Sequence, residues 1–254
     1  MTRRLLFTVD LDRDVNFAVE GRTEAGSLDR GQGIAPRFSS AEKGLALLLD
    51  QLDEMGIKAT FFVEGRTSEV IDCSVLSGHC IGFHGYDHED MALVPDLASV
   101  MDRGYRAVSD NVARPVCFRA PYMSMDDRIY AELQRLGIRH DSSVYASPTT
   151  PAYDVSGITE HPVAKGKDGA GKTIAAYLWP LHEGRRIPSD YIGLIRSCGD
   201  GDIVLATHTW HIVERRESGL MSHDDIAQNL DGVRQVLAGA MDAGYRPAVI
   251  TEGT

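Results

Sequence analysis

Apolar and polar positions alternate from Leu5 to Asp10, which predicts a strand with Leu6, Thr8 and Asp10 on one side and Leu5, Phe7 and Val9 on the other. Asp12 continues the first side, so the two carboxylates of the DLD run point the same way. Further on the period changes. Leu45, Leu48, Leu49, Leu52 and Met55 recur at helical spacing, introduced by Ser39 and Glu42 in capping-box register and stopped by Gly56. Short apolar runs predict further strands at Ala59 to Val63, His79 to Phe83, Val116 to Phe118, Ile158 to Val163, Ile174 to Trp179, Ile203 to Thr207 and Arg246 to Ile250. Helices are predicted over Asp96 to Val112, Asp126 to Leu136 with Gly137 as its stop, 189 to 197 and 224 to 243, with a brief one between the second and third strands. Residues 13 to 38, rich in Gly, Arg and Asp, and 146 to 171, rich in Pro, Gly and Lys, follow neither period and are read as loops.

Repeated strand and helix predicts an α/β fold with a mainly parallel sheet, open or closed into a barrel. No internal repeat and no linker divides the chain, so residues 1–254 are assigned to one domain. The formal net charge of −11 excludes a general nucleic-acid-binding role, because phosphate contacts need a clustered basic face. The pairs Arg3/Arg4 and Arg215/Arg216 are read as solvated surface. The opening MTRRLLFTVDLD has too short an apolar run for a signal peptide, and no later run approaches a membrane span, so a cytoplasmic protein is expected. Cys73, Cys80, Cys117 and Cys198 are scattered without a CxxC spacing, which predicts reduced thiols rather than a thiolate zinc site.

In folds of this kind the chemistry gathers at the C-terminal edge of the strands. There the chain places Asp10 and Asp12 after the first strand, His84 after the third, Arg119 after the fourth and His208 after a late one. His84 and His88, if on a helical turn, present their rings on one face, as two ligands of one ion require. Nine histidines would give about 0.3 such pairs by chance, so the spacing needs a third ligand to carry weight. The DLD run supplies it, since carboxylates on one side of a strand repel unless a cation, a buried arginine or a retained proton offsets the repulsion. Two histidines and one carboxylate leave positions open for water and substrate, the arrangement of a catalytic metal.

The same residues resemble the polysaccharide deacetylases, carbohydrate esterase family four. Thr8, Val9, Asp10 and Asp12 are similar to the first motif, with Leu11 between aspartates that are usually adjacent, as in an intracellular and peptidoglycan-type branch. His84 and His88 resemble the second motif, preceded by runs typical of the family at Ala59 to Gly65 and Gly78 to His79. Arg119, Ala120, Pro121 and Tyr122 resemble the third, and Ile203 to His208 the fifth. The fourth motif departs: in the run Asp141 to Tyr145, Val144 stands where many members have the aspartate that orients the catalytic histidine. Ala206 also replaces the usual leucine of the acetyl pocket, which implies a larger or differently shaped acyl group.

The resemblance implies a distorted, seven-stranded (β/α) barrel and a metal-dependent N-deacetylase acting on an amino sugar or sugar-containing precursor. Asp12, His84 and His88 would hold a divalent metal, Zn2+ first and Co2+, Mn2+, Fe2+ or Ni2+ as alternatives, which polarises the amide carbonyl and acidifies a water. Asp10 would be the base, Arg119 its charge partner, the Tyr122 backbone N–H an oxyanion donor, and His208 the acid that protonates the departing amine, with His211 a second candidate. Pro121, Trp210, Ala206 and Asp141 are the expected substrate contacts, Trp210 being preferred over Trp179 as an aromatic platform. Expected partners are a small-molecule or glycan substrate, without nucleic acid or a membrane span; self-association is left open. Two other readings are an allantoinase-like hydrolase of cyclic imides or formamides on the same fold, and a non-catalytic glycan-binding module. Retention of Asp10 and Arg119 speaks against the second.

Overall fold

The alternation at the N-terminus builds the strand on which the architecture turns. The computed structural model describes residues 3–19, 25–27 and 35–252. Seven parallel strands form a curled wall: β1 (Arg4–Leu11), β2 (Thr60–Val63), β3 (Cys80–Phe83), β4 (Cys117–Phe118), β5 (His140–Asp141), β6 (Val163–Lys167) and β7 (Ile203–His208). Their order is β6-β7-β1-β2-β3-β4-β5, so β1 lies inside the wall and its end is flanked on both sides. Asp10 lies opposite Phe62 in β2 and opposite His208 in β7. Short additional strands, among them Arg246–Ala248 against β1 and Ile158–Glu160 against β5, extend the sheet to twelve. After β5 the chain passes at once into Tyr145–Ala146, which pairs with β6. The two ends of the wall are thereby drawn toward each other, and the result is a half-barrel of parallel strands inside an α/β fold.

Helices α1 (Ser39–Met55), α2 (Leu97–Asn111), α3 (Asp127–Leu136), α4 (Pro188–Ser197) and α5 (His223–Asp242) lie where the helical period predicts them. Each buries one stripe: Ala41, Leu45, Leu48 and Leu52 of α1 and Ile129 and Leu133 of α3 join Leu5, Phe7, Val9, Phe61 and Phe83 in one apolar core. Asp96 and Asp126 cap α2 and α3 by accepting backbone N–H bonds, and Gly56 and Gly137 end α1 and α3 in the left-handed conformation.

Four expectations change. Ser39 is not the cap of α1; Phe38 holds that position without a side-chain bond. The Asp14 carboxylate instead accepts from the backbone N–H of Ser40 at 3.1 Å and of Ala41 at 2.7 Å. Residues 13 to 38 are not all loop, since Asn16–Ala18 and Ala25–Ser27 pair antiparallel; residues 20–24 and 28–34 lie outside the described residues. The stretch Ile174 to Trp179 divides, Thr173–Ala175 being strand and Trp179–His182 a helical turn with Pro180 inside its first turn. Ile158 to Val163 likewise separates into Ile158–Glu160 and the start of β6. The four cysteines are free, as expected, with Cys80 half-buried and the others buried. Among the described residues no helix is long and apolar enough to cross a membrane.

Candidate active site

The ends of β1, β3, β4 and β7 open into one cavity of about 340 Å³, lined by Asp10, His84, His88, Tyr122, His208 and Trp210 among others. Asp10 is its buried centre. One carboxylate oxygen accepts from Arg119 Nη1 at 2.9 Å and the other from the Tyr177 hydroxyl. Burial alone would raise its pKa, but the guanidinium, the neighbouring histidines and the Tyr177 bond hold it down, at about 2. The Asp10 carboxyl is therefore ionised at neutral pH.

Arg119 is fully buried and every contact fixes its direction. Nη1 also donates to Thr8 Oγ1 at 2.9 Å, Nε to the Ser142 carbonyl at 2.7 Å and Nη2 to Ser142 Oγ at 2.8 Å, while its plane lies 4.4 Å over the Phe62 ring. Thr8 and Asp10 thus share the side of β1 that the alternation predicts. The run Asp141, Ser142 and Ser143 supports this wall from behind: Ser143 Oγ accepts from the Ala120 N–H at 2.8 Å and donates to Asp141 at 2.6 Å.

Asp12, His84 and His88 converge, with one donor atom from each within 4.8 Å of the others, all buried. They do not sit on a helix. His84 and His88 lie on a loop after β3 that Gly85 (φ 72°) and His88 itself (φ 52°) turn back, bringing the two rings to 5.0 Å. His84 Nδ1 lies 2.8 Å from the Arg119 carbonyl oxygen and so carries its proton there, leaving Nε2 as a lone-pair donor. Burial depresses the pKa of both rings, that of His88 to about 4, and keeps them neutral as ligation requires. Asp12 Oδ2 accepts from Asn16 and lies 3.3 Å from His88 Nε2, whereas Asp12 Oδ1 has no hydrogen-bond partner among the described residues. Burial raises the pKa of this carboxyl well above the ordinary range. A buried carboxylate oxygen without a donor, beside two neutral imidazoles, is what a divalent cation satisfies. The donor set fits a metal.

His208 faces Asp10 through an intermediary. Its Nε2 is 3.1 Å from the Tyr177 hydroxyl. Because that hydroxyl donates to the Asp10 carboxylate, its oxygen accepts from His208, which places the imidazole proton on Nε2. Burial holds the ring neutral, with a pKa of about 3. Val144, in the slot of the usual acidic residue, bonds through its backbone to Glu160 and Val163. Tyr177 is the polar partner His208 has instead, and sequence reasoning missed it. The signal was present: Ala175, Tyr177 and Trp179 alternate with Ile174, Ala176 and Leu178, and the first three line the cavity. Asn16 and the buried Arg13, which pairs with Glu64 and with Asp87 of the histidine loop, were missed as well.

The expected substrate contacts fare unevenly. Tyr122 lines the cavity with φ 59°, packing edge-on against His88 at 4.7 Å. Trp210 lines it too but is 1% exposed, whereas Trp179 is 36% exposed on the same wall and presents the more accessible ring. Asp141 does not line the cavity: it is buried beside Glu160, where burial and the second carboxylate raise its pKa well above the ordinary carboxylate range. Ala206 and Pro121 are absent from the lining as well; Ala206 is bonded through its backbone to Ala176 and Leu178, and Ala120 and Ala175 are among the lining residues instead. His211 turns away to Glu183, at 2.8 Å. Arg216, expected on the solvated surface, is half-buried in the cavity wall.

The polysaccharide deacetylase family profile matches residues 37–140. Chitin deacetylase 1 of Cryptococcus neoformans is 32% identical over 99 residues, which cover 36% of this chain and 21% of that protein. A peptidoglycan deacetylase-like protein of Gibberella zeae is 31% identical over 151 residues, covering 56% of this chain and 44% of its own. The chain thus spans less than half the length of either curated relative. A Mycobacterium smegmatis crystal structure ascribed to a polysaccharide deacetylase superposes with a TM-score of 0.67 at 24% identity, over 99% of this chain and 88% of that one. That likeness bears on the fold.

Proposed function

We propose that the chain, whose residues 37–140 match the polysaccharide deacetylase family profile, is a metal-dependent hydrolase removing an N-acetyl or similar small acyl group from an amino sugar or sugar-containing precursor. The observation that carries the reading is the convergence of Asp12, His84 and His88 within 4.8 Å beside an ionised Asp10. The names of the matched relatives, chitin and peptidoglycan deacetylases, support the same reaction.

Asp12, His84 and His88 would hold the ion, and Zn2+ suits a site of two imidazoles and one carboxylate. When bound, a divalent ion polarises the acyl carbonyl and acidifies a water. Asp10, ionised and aimed by Arg119, takes the proton from the attacking water. Ala120, Pro121 and Tyr122 follow β4 at the cavity edge, where the Tyr122 N–H serves the developing oxyanion. His208 rests neutral, so it would first receive the proton that Asp10 takes from the attacking water, and the imidazolium would then give one proton to the departing nitrogen, which cannot leave as an amide anion. Tyr177 holds Asp10 and His208 in one hydrogen-bonded line, in place of the acidic residue that Val144 lacks.

Metal analysis of the purified protein with an acyl-release assay over N-acetyl sugars, N-formyl sugars and cyclic imides tests the reading. Acetate release that chelation abolishes is expected. Opening of an imide without acyl release from any sugar would sink it. Asp12→Ala is expected to lose most bound metal, while Asp10→Asn keeps it and loses turnover. Equal metal in Asp12→Ala and the unmodified protein removes Asp12 as a ligand.

A further inference from the structure

The cavity lacks the acidic excess of the chain. Net charge is −11, yet among the described residues lining the cavity Asp10 is the only one that bears a carboxylate, and Arg119 and Tyr177 already bind it. Facing the same space, the Arg216 guanidinium lies 5.1 Å from the centre of the Trp179 ring. Nη2 donates to the Asn16 carbonyl at 2.6 Å, and the backbone N–H of Arg216 is held by Glu183 at 2.9 Å. Among the described residues no carboxylate pairs with this guanidinium. Lys165 repeats the arrangement, its Nζ 5.3 Å from the ring of Tyr145, another lining residue, again without a carboxylate among the described residues.

Most arginines elsewhere are neutralised: Arg4, Arg13, Arg37, Arg119, Arg135 and Arg186 each meet an acid. Arg216 is different. A guanidinium has five N–H donors in a planar fork that fits a carboxylate or phosphate, and here a neutral carbonyl occupies one of them. The ring beneath and the backbone bond behind hold the group in place, so little side-chain freedom remains to be lost on binding.

We propose that the substrate of this cavity is an acidic N-acyl sugar, whose carboxylate or phosphate ester is gripped by Arg216 while its ring stacks on Trp179, with Lys165 adding attraction at Tyr145. The inference rests on the deacylase reading for the reaction and on Arg216 for the charge. The Arg216 and Lys165 cations beside lining aromatic rings also attract anionic ligands and repel a cationic, already deacylated sugar.

The test compares metal-loaded protein on a neutral N-acetylglucosamine oligomer, on N-acetylmuramic acid and on N-acetylglucosamine 6-phosphate. At least one anionic sugar is expected to exceed the neutral one about tenfold in kcat/KM, and Arg216→Gln to bring that ratio near one. Which anion gains identifies carboxylate or phosphate as the recognised group. A ratio near one in the unmodified protein, or a ratio that Arg216→Gln leaves intact, overturns the proposal. Fluorescence titration with glucosamine 6-phosphate, muramic acid and glucosamine reads binding without turnover. Preferential, Arg216-dependent binding of an amino sugar acid with no acyl release from any sugar would discard the deacylase reading and keep the anion site. Equal binding of all three overturns the site itself.

Discussion

At the scale of single residues the site depends on one hydroxyl that no motif contains. Tyr177 donates to Asp10 and accepts from His208, and burial beside the Asp10 charge keeps its phenol protonated far above the usual range. Tyr177→Phe keeps the ring and removes the line between base and acid. Turnover of an N-acetyl sugar is expected to fall by about 10- to 100-fold, hydrolysis of an activated ester by less, and metal content not at all. An equal loss on both substrates would mean that Tyr177 does not position the acid. Why Tyr177 escapes a linear reading is physical. Alternation places it on the same side as Ala175 and Trp179, but its reach to Asp10 depends on how far the sheet curls, since the backbone at Tyr177 joins β7 through an isolated bridge to Ala206. Asp10, Asp12, Arg119 and His208 were legible because each immediately ends or follows a strand. For His84 and His88 the pairing was legible and its cause was not: backbone turns at Gly85 and His88 replace the expected helix.

At the scale of elements, α1 positions the strand end that carries His208. A Cβ on Gly44 would stand 1.9 Å from the Thr209 carbonyl oxygen and 2.8 Å from its carbon, so backbone meets backbone where α1 crosses the segment after β7. Gly44→Ala must move one of them. The expected cost is about 1–3 kcal/mol in a denaturant titration, with kcat reduced as the neighbouring His208 is displaced. Full activity in a variant of unchanged stability would show that this contact does not transmit to the site. The start of α1 has its own anchor in Asp14, which receives two helix N–H groups and also approaches Arg37 at 3.8 Å. Asp14→Ala is expected to cost about 1–2 kcal/mol. The period of α1 was readable from its leucines. Its cap was not, because a carboxylate 26 residues before Ser40 does the work that a local pattern assigns to Ser39.

At the scale of the whole molecule, acid stability follows from histidines that the fold keeps neutral. His182 is 1% exposed; Nδ1 lies 2.8 Å from Asn229 Oδ1 and Nε2 2.7 Å from Thr207 Oγ1. Asn229 spends its amide protons on the carbonyls of His211 and Ile212, so its oxygen accepts from Nδ1–H and the Thr207 hydroxyl donates to Nε2. A second proton has no place, and burial lowers the pKa from 6.5 to about 4. The unfolded chain binds that proton below 6.5 and the folded chain does not until about 4, so this residue's contribution is intact above 6.5, declines as pH falls through the window and is constant below it. The amount is on the order of 3 kcal/mol. Asp141 acts in the opposite sense: its raised pKa favours the fold below the ordinary carboxylate range, and that stability is lost as pH rises through the folded value. The net acid response mixes the two, and a variant separates them. Between pH 7 and pH 4 the unfolding free energy of His182→Gln should fall less than that of the unmodified protein, by on the order of 3 kcal/mol. Parallel declines in the two proteins would show that His182 is charged within the folded chain, in conflict with the bonds of Asn229 and Thr207.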